Sequence, residues 1–317
     1  MTSLRITSFE GTVPDNRVLV DPEQSDMINS EIIFEGTGNI LYIEDGVQLN
    51  DSKIVFAGND ALCYIRKSSR RISLKMDIWR ECAVYIGQGI NNNGKLNLVA
   101  SERQNIIIGD DCLFSFGIWM RCADPHLIYD CTTRKRLNAS KSILLGDHIW
   151  VGQDAKVLKG TIVGSGSLIG AGSIVSGKKM PSHTVFAGVP ARMVKQNVFW
   201  GFESVHNWTR AKTKKMECYV DDCWIYDSKL RHDNSTMMKD GKFDRLSGAG
   251  RQNASLKDID KAIKAKKSPE EKLAVIESLL VNNTDHDRFY MPFPKKKSLF
   301  RRILSRVKRL LKKIFVK

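Results

Sequence analysis

Six histidines are the chain's candidates for proton transfer at neutral pH, and two of them stand in text that singles them out. His126 closes an Asp124-Pro125-His126 triplet in a polar stretch, and His148 lies within Gly146-Asp147-His148-Ile149-Trp150-Val151-Gly152. An imidazole titrates near pH ~6.5, so it can take up a proton and return it under ordinary conditions. His183 sits in a turn, and His206, His232 and His286 have no supporting context. A zinc centre of three closely spaced histidines is not expected, because no H-x(3–5)-H pair exists. The second chemistry is anion binding: Lys178, Lys179, Arg192 and Lys195 cluster within one short stretch and suit a phosphate-rich ligand.

These groups are strung along a repeat. From Leu145 to Met180, the residues Leu145, Val151, Val157, Val163, Ile169 and Val175 recur every six positions. A helix repeats its apolar positions every 3.6 residues and a half-buried strand every 2, so a coil of short strands and tight turns is the element that fits. Each aliphatic residue is expected to point into the coil axis. Gly146, Gly152, Gly164 and Gly170 follow four of them, and Ala155, Thr161, Ser167 and Ser173 supply the small side chains a corner needs.

Upstream, short apolar runs alternate with Gly, Asn and Asp turns, and the aliphatic-Gly signature returns at Ile86-Gly87 and Ile108-Gly109. The coil domain is therefore expected over 31–196, after an N-terminal segment 1–30 that gives no clear element. Between 123 and 142 the hexads stop, so this polar segment should be extruded as a loop, the usual place for a solenoid's binding surface. Residues 197–233 hold Trp200, Trp208 and Trp224 and read as a small cap. Residues 234–294 read as a linker and a helix announced by Ser268-Pro269-Glu270-Glu271, with Leu273, Ile276, Leu279 and Leu280 on its apolar face.

Apolar content of 42% and charged content of 27% are ordinary for a globular protein. The formal charge of +15 is not: eleven Lys or Arg and no acid fall in the last twenty-three residues, leaving +4 for the rest. In 295–317 a stripe from Leu299 to Phe315 follows helical spacing opposite those cations. Such a helix suits an anionic membrane surface, whereas tracking nucleic-acid phosphates would not need the aliphatic stripe. The start lacks the apolar core of a signal peptide and no run reaches the ~18 apolar residues of a spanning helix, so a cytoplasmic protein peripheral to the inner face of the membrane is expected. Seven scattered cysteines without a C-x-x-C pair are read as reduced thiols.

The hexads resemble those of the hexapeptide-repeat acyltransferases. The resemblance implies a mainly β fold, a left-handed parallel β-helix, with the extruded loop and a C-terminal α-helical extension added to it. The D-x-H loop followed by G-D-x-x-W-x-G is similar to the arrangement in bacterial capsular-polysaccharide and other sugar O-acetyltransferases. By that resemblance His126 is the catalytic base and Trp150 lies along acetyl-CoA, the acyl donor. Transfer to a sugar hydroxyl then runs directly, with Asp124, Asp130 or Asn138 orienting the imidazole and a corner N–H or the Trp150 indole N–H meeting the oxyanion.

Gly170, Ala171, Gly172 and Ser173 are the small residues along which the pantetheine arm would lie, and Lys178, Lys179 and Arg192 the cations for its phosphates. Ser176-Gly177-Lys178-Lys179 departs from the family's Thr-Lys-Asp, and which lysine serves stays open. Ala187-Gly188-Val189-Pro190-Ala191 resembles the family's closing turn. The resemblance further implies a homotrimer with sites between subunits, a glycan acceptor and no metal. Two other readings share the fold: an N-acetyltransferase or small-molecule acyltransferase, and a non-catalytic scaffold at a membrane.

Overall fold

The computed structural model describes residues 3–219, 221–231 and 254–294, together with the backbone of strands Thr236–Lys239 and Lys242–Arg245. The tail 295–317 and most of the linker lie outside the described residues. No helix among the described residues is long and apolar enough to cross a membrane.

The chain winds into a three-faced parallel β-helix. The hexads stack in register: Leu145 pairs with Val163, Val151 with Ile169 and Val157 with Val175, so three hexads make one coil and each face repeats eighteen residues on. All six repeat residues point inward and are at most 2% exposed. They continue an aliphatic core that runs through Ile32, Leu41, Ile54, Cys63, Ile86 and Leu98.

The N-terminal coils are larger. Ile40 pairs with Leu62, and Lys53 with Lys75, a step of twenty-two residues that carries no six-residue period. Parallel pairing also begins upstream of residue 31, where strand Arg17–Leu19 joins Ile40–Ile43. The first face is finished by the antiparallel strand Leu4–Ile6. At the other end the antiparallel strand Ala191–Gln196 folds back on Thr184–Gly188 and closes the third face.

Strands of the second face, such as Ala83–Ile86, Ile106–Ile108 and Ile143–Leu145, are buried on both sides. Their outer side is covered by two helices, α2 (Leu256–Lys264) and α3 (Pro269–Ile276), with α1 (Arg210–Lys215) lying earlier in the chain. Ser255 and Asp258 form a capping box on α2, and on α3 the Ser268 hydroxyl accepts the Glu271 N–H with Pro269 in the first turn. Ile276 and Leu280 are buried from the apolar face expected for this helix, and Leu273 and Leu279 are partly so.

A strap after α3 is fastened by a charged network. Arg288 forks onto Asp147 (Nε to Oδ2 2.9 Å, Nη2 to Oδ1 2.7 Å), reaches Asp110 at 2.8 Å, and donates to the Leu280 and Asn283 carbonyls. Burial works against the Arg288 charge, yet Asp147 and Asp110 together push its pKa well above the ordinary arginine value. Further along, the Met291 N–H donates to the Ser182 hydroxyl and the Ser182 N–H to the Met291 carbonyl, bringing the strap to the last coil.

Candidate active site

Strands Trp119–Arg121 on the first face and Ile143–Leu145 on the second bracket the extruded loop. Tyr129 bridges Arg136, the Asp130 N–H donates to the Lys135 carbonyl, and the loop becomes a short arm carrying exposed Leu127, Ile128, Tyr129 and Leu137. Asn138, buried at its base, donates to the His126 carbonyl (2.7 Å) and the Asp124 carboxylate (3.0 Å) and accepts the Ile128 N–H (2.9 Å). Lys159 binds Asp124, and Glu102 binds Arg136 and Ser140. Lys159 and Glu102 both belong to the corner between the first and second faces, so the main chain of His126 is fixed there with its imidazole exposed.

None of the three groups expected to orient that imidazole reaches it through a hydrogen bond among the described residues. Asp124 is committed to Lys159 and Asn138, which draw its carboxyl below the usual range. Asp130 accepts the Thr132 and Thr133 N–H groups of its own turn, and Asn138 holds backbone.

Trp150 stands elsewhere. It opens strand Trp150–Val151 of the third face, where it pairs with Leu113 on one side and Leu168 on the other. Alternation along the strand sends Val151 inward with Phe114 and Ile169, and Trp150 outward, where it is 40% exposed. No described residue accepts a hydrogen bond from its indole N–H.

Two residues earlier, His148 takes a corner conformation with φ 54° and is fully buried. Its ring is sandwiched between Trp200 (centroids 3.9 Å) and Trp224 (3.8 Å), nearly parallel to both. The Trp200 indole N–H donates to the His148 carbonyl (3.0 Å), and His148 Nε2 returns a hydrogen bond to the Trp200 carbonyl (2.8 Å). Since a carbonyl only accepts, Nε2 carries the proton. Burial lowers the His148 pKa to about 3, so the ring stays neutral and works as a stacking block for the cap. Trp200 in turn lies 5.8 Å from Trp150. His183 and His286 are also structural: His183 accepts the Tyr226 N–H, and His286 stacks on Tyr226.

The residues expected to line the acyl donor divide between two sides of the prism. Gly170 and Ala171 form a corner that follows the third face, and a Cβ on Gly170 would lie 2.9 Å from that of Ala187. Ala187 pairs across the closing hairpin with exposed Arg192, which places the Arg192 main chain on the side of Gly170. Trp150, Gly170, Ala171 and Arg192 thus share one side, a lane of small residues ending at a guanidinium, which fits an elongated ligand with an anionic end. Lys178 and Lys179 lie at the corner between the first and second faces, on the side of His126. Closeness in sequence had grouped them with Arg192; the turn of the coil separates them.

The tryptophan-rich cap was legible in the sequence, but its pairing with His148 was not, because Trp200 is fifty-two residues from the histidine it holds. Arg288, far beyond the hexads, was equally silent, although Asp147 was visible as part of the G-D-x-x-W text.

No protein-family model matches the chain. A polysialic acid O-acetyltransferase of Neisseria meningitidis is 30% identical over 178 residues, 56% of this chain and 82% of that protein. One from Escherichia coli O1:K1 is 37% identical over 134 residues, 42% of this chain and 40% of that protein. The crystal structure of the polySia specific acetyltransferase NeuO superposes with a TM-score of 0.54 at 30% identity, covering 64% of this chain and 93% of that one. With the hexads stacked as coils and a relative matched over most of its length, the chain belongs to the hexapeptide-repeat acyltransferases, among relatives named as polysialic acid O-acetyltransferases.

Proposed function

We propose that the protein transfers an acetyl group from acetyl-CoA to a hydroxyl of a bacterial cell-surface polysaccharide, at a site completed by two copies of the chain within a homotrimer. The observation that carries this reading is the division of the site residues: His126 is tied to one corner of the prism and Trp150 projects from the face opposite to it. The exposed apolar arm around His126 supports contact with a second copy.

In this reading His126 takes the proton of the acceptor hydroxyl as its oxygen attacks the thioester carbon. The imidazolium then returns that proton to the sulfur as the carbon–sulfur bond breaks. The Trp150 indole N–H, unengaged among the described residues, supplies a donor to the oxyanion. The lane from Gly170 and Ala171 to Arg192 receives the donor's arm and anionic end, with Lys178 and Lys179 of the neighbouring copy as further cations. No metal enters the scheme. The relatives named above act on polysialic acid by name, which supports a polysaccharide acceptor here.

The strap ends at the last coil, and the basic tail continues from there. That tail is the element we assign to the anionic inner surface of the membrane, which would hold the enzyme where surface polymers are assembled. The test is acetyl-CoA-dependent release of free thiol with polysialic acid as acceptor. Release that requires both substrates supports the reading, and none with this or any other glycan fraction overturns it.

A further inference from the structure

The cap carries a surface that the transfer reaction leaves unused. Helix α1 reads Arg-Ala-Lys-Thr-Lys-Lys, every residue of it is exposed, and from Ser204 to Met216 there is no acid at all. Among the described residues Arg210, Lys212, Lys214 and Lys215 form no salt bridge, whereas Arg66 and Lys159 on the prism and Arg231 on the cap are paired. Four like charges on less than two turns repel one another, and an external polyanion would relieve that repulsion.

Aromatic side chains accompany these charges. Lys212 lies over the Trp208 ring at 5.6 Å. Phe202 and Tyr219 are exposed on the same cap. Phe202 packs edge-on against Trp200 (4.8 Å), and through Trp200 the cap meets Trp150. The His148 stack fastens Trp200 and Trp224 to the coil, and α1 lies between these two residues in the sequence, so both of its flanks lead back to the prism. Rings that present flat apolar faces suit sugar rings, and interspersed cations suit carboxylates repeated along a polymer.

We propose that the cap, through Arg210, Lys212, Lys214 and Lys215 with Trp208 and Phe202, is the docking surface for an acidic polysaccharide and holds the acceptor polymer outside the transfer site. This rests on the acyl-transfer reading only for the purpose of the docking; the binding itself does not require it. A polymer held there is delivered repeatedly to the same site, and its affinity falls steeply with salt.

The experiment is affinity electrophoresis of the full chain through gels containing polysialic acid, with dextran as the neutral polymer and vesicles of anionic phospholipid in a parallel sedimentation. The wild-type chain is retarded by polysialic acid and not by dextran, and K212E/K214E/K215E weakens that retardation roughly tenfold, as expected from losing three exposed charge pairs. The neutral variant K212Q/K214Q/K215Q falls between the two, which separates lost attraction from a damaged fold. Equal retardation of all three proteins, or equal retardation by dextran, overturns the proposal. So does a charge-reversed variant that loses vesicle sedimentation while keeping its grip on the glycan. Thiol release is read separately: retardation that depends on α1 without thiol release upholds the surface and removes the transfer reading, and the converse removes the surface alone.

Discussion

His126 and Trp150 leave the prism on opposite sides: the histidine from the corner between the first and second faces, where Asn138 holds its carbonyl at 2.7 Å, and the tryptophan from the third face. A three-faced coil makes this separation unavoidable, because each corner looks away from the face across the axis. An active site that uses both residues must therefore borrow one of them from a neighbour.

Replacing His126 with Ala removes the proposed base and should lower acetyl transfer by on the order of 10²- to 10⁴-fold. The side chain is exposed, so thermal stability should change by no more than about 0.5 kcal/mol. Thiol release and a melting curve on the same preparation check both halves.

Trp150→Ala removes a face of the proposed donor lane and an indole N–H. Turnover should fall about 10²-fold if that N–H meets the oxyanion, with kcat affected more than KM. A change confined to KM for acetyl-CoA would restrict Trp150 to binding.

Arg288→Met leaves the buried Asp147 without its cation and half-buried Asp110 with only Arg66, at 3.6 Å. Stranding the Asp147 carboxylate costs about 3–5 kcal/mol, so a large drop in the melting temperature is expected. An unchanged melting temperature would mean that the strap contributes nothing to the prism.

His148 makes the fold sensitive to acid. Its folded pKa of about 3 lies below the free value of 6.5, so unfolding takes up a proton between those limits. Above pH 6.5 the group contributes nothing to the pH dependence; below it stability falls, by at most about 1.4 kcal/mol per pH unit from this residue, until the folded pKa is reached. His183, also lowered by burial, acts in the same direction. Urea unfolding midpoints between pH 7 and pH 4 should slope downward in the wild type and less steeply in His148→Phe.

The C-terminal half of the coil was legible because its side chains obey one spacing, and Leu145, Val151 and Val157 meet Val163, Ile169 and Val175 as that spacing requires. The earlier coils hid their start because a step of twenty-two residues leaves room for irregular corners, and Arg17–Leu19 carries no repeat to mark it. The runs Ala83–Ile86 and Ile106–Ile108 are apolar on alternate positions too, since α2 and α3 bury their outer side; that cause lies far along the chain. Spacing exposed His126 and Trp150 as a pair but said nothing of direction. The winding decides which way each points, and it moved Lys178 and Lys179 away from Arg192.

The most direct test is complementation between two crippled chains. His126→Ala and Trp150→Ala are co-expressed with different tags, mixed oligomers are isolated through both, and acetyl-CoA-dependent thiol release is measured. If each site takes its histidine from one copy and its tryptophan from the next, every mixed trimer rebuilds one of its three sites, and activity returns to about a third of the wild-type value. Mixed oligomers no more active than either variant alone would place both residues in the same chain's site and contradict the shared arrangement.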